Sequence, residues 1–176
     1  MKASRAPMRA SKVAVCAALG AAVSLAVYAA DLSSVSDFGP PEPGFGGATQ
    51  VARVAQQGQG NRLNAVQAGH NGLMANQTGI ANAAVTAQAG NDNWTVLQQS
   101  GAANLYAGYQ SGQYNRSIAV QNGSGNTASV TQVGNSMSSS VTQLGNNNEI
   151  SILQSRNGSG LSVTQTGGAR AAVLMK

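Results

Sequence analysis

One stretch of this chain, residues 121–132, reads QNGSGNTASVTQ. It begins with glutamine, places glycine two positions later and asparagine three positions after that, and then alternates until a second glutamine. The pattern recurs throughout residues 50–176, where the glutamines lie eleven residues apart with one step of ten. A unit this short cannot bury a core alone, so its repetition predicts a fold of stacked repeats.

Three kinds of residue recur with this spacing. The glutamines are Gln56, Gln67, Gln77, Gln88, Gln99, Gln110, Gln121, Gln132, Gln143, Gln154 and Gln165. Asparagine begins most units, as Asn61, Asn71, Asn82, Asn93, Asn104, Asn115, Asn126 and Asn148. The turn glycines are Gly58, Gly69, Gly79, Gly90, Gly101, Gly112, Gly123, Gly134, Gly145 and Gly167. Glycine is expected where a short arc reverses a strand through a positive φ angle.

Each unit divides into a seven-residue alternating strand and a four-residue turn. Alternate strand positions face the same side, so asparagine, a small residue, an aliphatic residue and glutamine are expected to point inward together. Residues 50–56 show the same alternation, which brings the number of strands to twelve. We therefore predict an all-β fold, a β-solenoid of about six two-strand rungs with a 22-residue repeat and two facing parallel sheets.

Inward glutamine and asparagine need an explanation, because a buried amide without a partner costs roughly 1–3 kcal/mol. Stacked in register, each amide can donate to the rung on one side and accept from the rung on the other. We expect these ladders to fix the strand register, since a one-residue slip turns every amide outward. A terminal rung leaves its amides half-satisfied, and another molecule can complete them.

The first 29 residues have the features of a cleaved signal peptide. Four basic residues precede an apolar run at 13–27, and cleavage is expected after Ala29 or Ala30. The run is shorter than the roughly 20 residues that a membrane anchor needs. Val15 before Cys16 argues against a lipoprotein signal. We therefore predict a secreted protein.

Loss of the leader changes the charge of the chain. Of ten basic residues four leave, so the mature chain has six basic and five acidic residues and a net charge of +1. No basic cluster remains that would indicate nucleic-acid binding. No cysteine remains either, so stability is expected without disulfides. Residues 30–49 are acidic and contain GPPEPG, which predicts a flexible segment, either a secretion tail or an inert linker.

The motif Q-x-G-x-x-N-x-A-x-x-x-Q, intact at residues 77–88 and 121–132, resembles the curlin repeat of bacterial curli subunits. The leader, the Gly/Pro-containing segment and the repeats together extend the resemblance over nearly the whole chain. It implies a secreted amyloid subunit of an extracellular fibre at the bacterial cell surface, with roles in adhesion and biofilm matrix. It also implies self-association, a second curlin-type subunit, an outer-membrane secretion channel and periplasmic helpers as partners.

Curlin relatives include a bulk fibre-forming type and a minor type that nucleates fibres, and the lapses in the repeat bear on this choice. Met137 and Ser159 replace asparagine, and Arg156 replaces glycine. Arg170 and Lys176 are expected at the asparagine and glutamine positions of the last strand, where inward charge would block strand addition. These three basic residues are candidate edge gatekeepers, although an ordinary atypical terminal repeat would also explain them.

Single aromatic residues and the one histidine of the repeat region favour structural roles. Tyr106 is expected to point inward and to fill the space beside Gly108. Trp94, Tyr109 and Tyr114 are expected at outward or turn positions, where isolated aromatics are common. His70 lies in the turn of the shortened unit, with too few acidic residues in the repeats for a metal site. We predict no cofactor and no metal.

Other functions fit the sequence less well. Glycoside hydrolysis needs paired carboxylates, and the repeats contain only Asp92 and Glu149. There is no nucleophile-elbow motif, so we predict that the chain is not an enzyme. An ice-binding solenoid would need a regular outward array of threonines, which the repeats lack. A secreted β-solenoid adhesin that does not form amyloid remains the alternative.

Overall fold

The structure is a computed structural model that describes residues 25–30 and 50–176. The predicted signal peptide at 1–29 and the segment at 30–49 lie outside the described residues, except for the strand at 25–30. Both assignments therefore stay predictions. In the described part of the chain, no helix has the length and hydropathy that a membrane crossing needs.

The described residues form strands joined by short arcs. The strands are β1 (Leu25–Ala30), β2 (Val51–Gln59), β3 (Arg62–Ala68), β4 (Asn71–Ile80), β5 (Ala83–Asn91), β6 (Asn93–Ala102), β7 (Leu105–Gln113), β8 (Arg116–Ser124), β9 (Thr127–Val133), β10 (Ser138–Leu144), β11 (Glu149–Gln154), β12 (Gly160–Thr166) and β13 (Arg170–Met175).

From β2 onward, successive strands alternate between two sheets. Sheet A has the order β1-β2-β4-β6-β8-β10-β12, and sheet B has the order β13-β11-β9-β7-β5-β3. All neighbours from β2 to β13 pair in parallel, and the pairing aligns glutamine with glutamine, as in Gln99 with Gln121. Each rung consists of one strand from each sheet, beginning with β2 and β3 and ending with β12 and β13. The predicted β-solenoid of about six rungs is confirmed.

The core lies between the two sheets and follows the predicted alternation. Leu73, Leu97 and Val141 of sheet A and Val130 and Ile152 of sheet B are all at most 1% exposed. The inward positions between the amide columns thus carry the apolar packing. Because that layer is only two side chains wide on each strand, the flanking amides form the walls of the core.

Strand β1 is the exception to parallel pairing. It lies antiparallel to β2, with Leu25 opposite Gln56 and Ala30 opposite Val51. It occupies the sheet A edge of the first rung. The first-rung edge in sheet B is β3 itself, and the last-rung edges are β12 and β13.

Candidate assembly interface

The inward glutamines form a continuous hydrogen-bonded ladder in each sheet. In sheet A, Gln77 Nε2 donates to Gln99 Oε1 at 2.6 Å, and Gln99 Nε2 donates to Gln121 Oε1 at 2.8 Å. The bonds from Gln121 to Gln143 and from Gln143 to Gln165 are 2.9 and 2.8 Å long. In sheet B the corresponding bonds join Gln67, Gln88, Gln110, Gln132 and Gln154 at 2.7–2.9 Å.

Each buried glutamine of the ladders also ties the two sheets together. Gln99 Nε2 donates to the backbone carbonyls of Ala83 and Asn104, which belong to the other side of the solenoid, at 3.0 and 3.2 Å. Gln121 repeats both contacts one rung later, with Leu105 and Asn126. A buried glutamine amide is therefore satisfied by its column and by a backbone carbonyl of the opposite sheet.

The inward asparagines form ladders of their own and close the arcs. Asn104 Nδ2 donates to Asn82 Oδ1 at 3.0 Å, and the backbone N–H of Asn104 donates to the same oxygen at 3.1 Å. Asn104 Nδ2 also lies within hydrogen-bond distance of the carbonyls of Ser100 and Gly123, at 3.1 and 2.9 Å. Asparagine reaches these carbonyls because it stands where the arc joins the strand, and its short side chain folds back over the arc.

The two kinds of ladder have opposite polarity. Each glutamine donates to the next rung, as Gln99 does to Gln121. In the asparagine columns the direction is reversed, because each Oδ1 accepts from the asparagine of the next rung, as Asn82 Oδ1 does from Asn104. The face of a rung that looks toward the C-terminal end of the solenoid therefore offers glutamine donors and asparagine acceptors. The opposite face offers glutamine acceptors and asparagine donors.

The turn glycines pack directly on one another. Gly101 has a φ angle of +109°, and a Cβ atom there would overlap the carbonyl group of Gly123 in the next rung. The same overlap recurs at Gly79 and Gly90. The column thus needs glycine for its backbone angle and for the close approach of successive arcs.

The ladders lapse in the last rung, but not at the residues predicted. Gln154 pairs with Met175, and Gln154 Nε2 lies 3.8 Å from Met175 Sδ. Asn148 Oδ1 accepts from the backbone N–H of Ala169. Met175 and Ala169 therefore occupy the glutamine and asparagine positions of β13, and the expected inward placement of Arg170 and Lys176 is wrong.

The physical reason is a shortened arc. Four steps separate Gln165 from Ala169, whereas five separate Gln143 from Asn148 at the same place one rung earlier. Because the arc is one residue shorter, each residue of the last strand lies one strand position further along than the eleven-residue spacing predicts. Arg170 and Lys176 therefore point outward and are exposed. Arg170 Nε lies 3.2 Å from Glu149 Oε2 on the outer face. An ion pair this exposed contributes little stability.

Arg156, the third candidate gatekeeper, also lies outside the core. It is exposed in the arc after β11, and its φ angle is not positive as those of the turn glycines are. In the described residues no later arc stacks on this one, so no close approach demands glycine at this position. Any edge role of these three basic residues therefore has to act from the surface.

The aromatic residues lie where the alternation predicts. Tyr106 is buried, and a Cβ at Gly108 would overlap its ring. Trp94 lies on the outer face of sheet A over Gly72, where a Cβ would collide with the indole ring. Tyr109 and Tyr114 are exposed.

Inward hydroxyl groups are a feature that sequence reasoning missed. Tyr106 Oη lies 2.9 Å from Ser117 Oγ, and Ser117 Oγ accepts from Ser139 Oγ at 3.2 Å. Burial raises the pKa of Tyr106 to about 12, and the Ser117 hydrogen bond opposes that rise. Thr95 Oγ1 donates to Gln110 Oε1, whereas the buried Thr86 Oγ1 has no hydrogen-bond partner in the part of the chain that the structure describes. Serine and threonine at alternate, inward-facing positions were the available signal.

Potential catalytic or metal-binding groups are sparse. Within residues 25–30 and 50–176, no three His, Cys, Asp or Glu side chains come together to hold a metal ion. His70 is half-buried in its arc, and its Nδ1 lies 3.3 Å from Asn91 Oδ1. The extended feature that the geometry supports is the set of ladders and the edge strands that end them.

Comparison with protein families supports the same feature. Residues 109–134 match the family model of the curlin associated repeat. This chain contains a curlin associated repeat. The matched curlin repeat contains Gln110, Gln121 and Gln132, which belong to the ladders described above. No curated protein and no solved structure matches the chain significantly.

Proposed function

We propose that this curlin-repeat protein is a secreted structural subunit of an extracellular amyloid fibre of the curli type. The family match supports a fibre subunit and argues against an enzyme. The solenoid already has the parallel, in-register strand stacking and amide ladders on which cross-β fibres are built.

One observation carries the proposal: the glutamine ladder of sheet A continues unbroken to the edge strand β12. Gln121 and Gln143 are joined within the chain by a 2.9 Å amide bond. Gln165 at the edge strand β12 has the same acceptor bond from Gln143 but no following amide in the described residues. A first rung from another copy would supply it, so that copies add end to end.

The proposed fibre serves surface adhesion and biofilm matrix without turnover of a substrate. Its principal partners are other copies of the same chain and a second curlin-type subunit. A secretion channel and periplasmic helpers deliver the chain to the cell surface. Residues 50–176 contain six basic and two acidic residues, which favours the minor, nucleating type of curlin subunit because bulk subunits of the family are usually acidic.

Assembly and cross-seeding of the purified chain test this proposal. We expect fibres that bind an amyloid dye and give a meridional reflection at about 4.7–4.8 Å. A nucleating subunit would also abolish the lag of a bulk curlin subunit from the same cell. A folded, soluble chain that neither assembles nor seeds would refute the amyloid proposal and leave the non-amyloid adhesin in its place.

A further inference from the structure

The two ends of the solenoid are unequal. Four amide columns run along the solenoid, one of glutamine and one of asparagine in each sheet, and they differ between the interior rungs and the last rung. Between the second and fourth rungs all four are occupied by amides: Asn71, Asn93 and Asn115; Gln77, Gln99 and Gln121; Asn82, Asn104 and Asn126; Gln88, Gln110 and Gln132. In the last rung the same columns hold Ser159, Gln165, Ala169 and Met175. Only Gln165 is an amide.

These lapses matter because of ladder polarity. If a second copy stacks in the interior register, its β2 follows β12 and its β3 follows β13. Gln165 Nε2 then meets Gln56 Oε1 and continues the sheet A ladder. Gln67 Oε1, which has no donor among the described residues, meets the thioether of Met175, which cannot donate. Asn61 Nδ2 already donates to the carbonyls of Gln57 and Gly79. The backbone N–H of Asn61, whose counterpart at Asn82 donates to an asparagine Oδ1, meets Ala169, which has no side-chain acceptor.

A head-to-tail fibre forms this junction at every step, whichever end grows. The lapses therefore weaken every contact between identical copies and do not block one end alone. This inference rests on the proposed function. We propose that the last rung is a mismatched template for the chain's own first rung. The first rung instead fits a β-solenoid chain whose last rung carries amides in these columns.

The decisive comparison is Met175→Gln against Lys176→Gln. Met175 ends the glutamine column of sheet B, whereas Lys176 lies eleven residues after Gln165 but points outward. The full chain, recovered after export with its own leader, is assembled, and the concentration of soluble chain at the plateau is measured. Processing of the leader would also uncover β2, whose edge β1 occupies in the structure.

We expect Met175→Gln to lower the plateau concentration about fivefold, the effect of one hydrogen bond. Adding Ala169→Asn should lower it further, and Lys176→Gln should leave it within about twofold. Circular dichroism of each soluble variant checks that the solenoid is intact. An unchanged plateau for Met175→Gln, or the same fall for Lys176→Gln, would overturn the inference. Failure of every variant, including the unchanged chain, to form fibres would instead refute the proposed function.

The preferred partner is tested by seeding. Sonicated fibres of the Met175→Gln, Ala169→Asn variant present the completed last rung. Labelled unchanged chain is added below its own plateau concentration, where it cannot extend its own fibres. We expect the variant seeds to capture labelled chain and unchanged seeds to capture none. Equal capture by both kinds of seed would show that the last rung does not select its partner.

Discussion

Two adjacent glutamines on β6 test whether the inward ladder holds the solenoid together. Gln99 is 1% exposed and points into the core, whereas Gln98 is exposed on the outer face. Replacing each by alanine removes the same side chain from the same strand. Strand propensity and composition change equally, so any difference between the two variants reports on the ladder.

The structure sets the expected size of that difference. Gln99 Oε1 accepts from Gln77 at 2.6 Å, and the two Nε2 hydrogens of Gln99 are distributed over Gln121 Oε1 and the carbonyls of Ala83 and Asn104, which makes about three bonds. At about 1 kcal/mol net for each bond, with a further penalty for the orphaned Gln121 Oε1, Gln99→Ala should lower the free energy of unfolding by about 3–5 kcal/mol. Gln98→Ala should change it by no more than about 0.5 kcal/mol.

Guanidinium denaturation followed by far-ultraviolet circular dichroism measures both changes, and the lag before fibre formation gives a second readout. We expect the lag of Gln99→Ala to lengthen and that of Gln98→Ala to stay as in the unchanged chain. Equal destabilisation by the two substitutions would refute the reasoning, because the amide column would then contribute no more than an exposed side chain.

Three further substitutions test the arcs and the core. Gly101→Ala should destabilise the solenoid by at least about 2 kcal/mol, because the φ angle of Gly101 is +109° and the next arc lies against it. Gly160 has open space around it and no positive φ angle, so Gly160→Ala is the near-neutral control in the same denaturation assay. Thr86→Val should raise the free energy of unfolding by about 1–2 kcal/mol by removing a buried hydroxyl without a partner, and a fall would contradict this. Since the folded pKa of Tyr106 is about 12 against 10 in the unfolded chain, its stability contribution is full below pH 10 and lost as the pH rises toward 12. Denaturation across that range should show a loss of about 2–3 kcal/mol that Tyr106→Phe lacks; parallel curves for the two proteins would exclude the effect.

Most of the fold could be predicted because one period governs it. Spacing alone identified the inward amides and the pairing of Gln99 with Gln121. The last strand could not be placed in the same way, because AAVLM is apolar at every position and gives no alternation to fix its register. The useful cue was the ten-residue step from Gln67 to Gln77, which shows that the solenoid accepts an arc one residue shorter. Gln165 to Met175 repeats that step.

The opposed polarity of the ladders explains why two different amides recur. A column of glutamines alone would place all side-chain donors on one face of a rung and all acceptors on the other. Asn104 reverses this arrangement beside Gln99, so each face carries both donors and acceptors. A rung can then be completed only by another rung with the same two columns in the same direction. Specific recognition between repeats thus depends on the amides as a set, and one thioether at Met175 is enough to alter it.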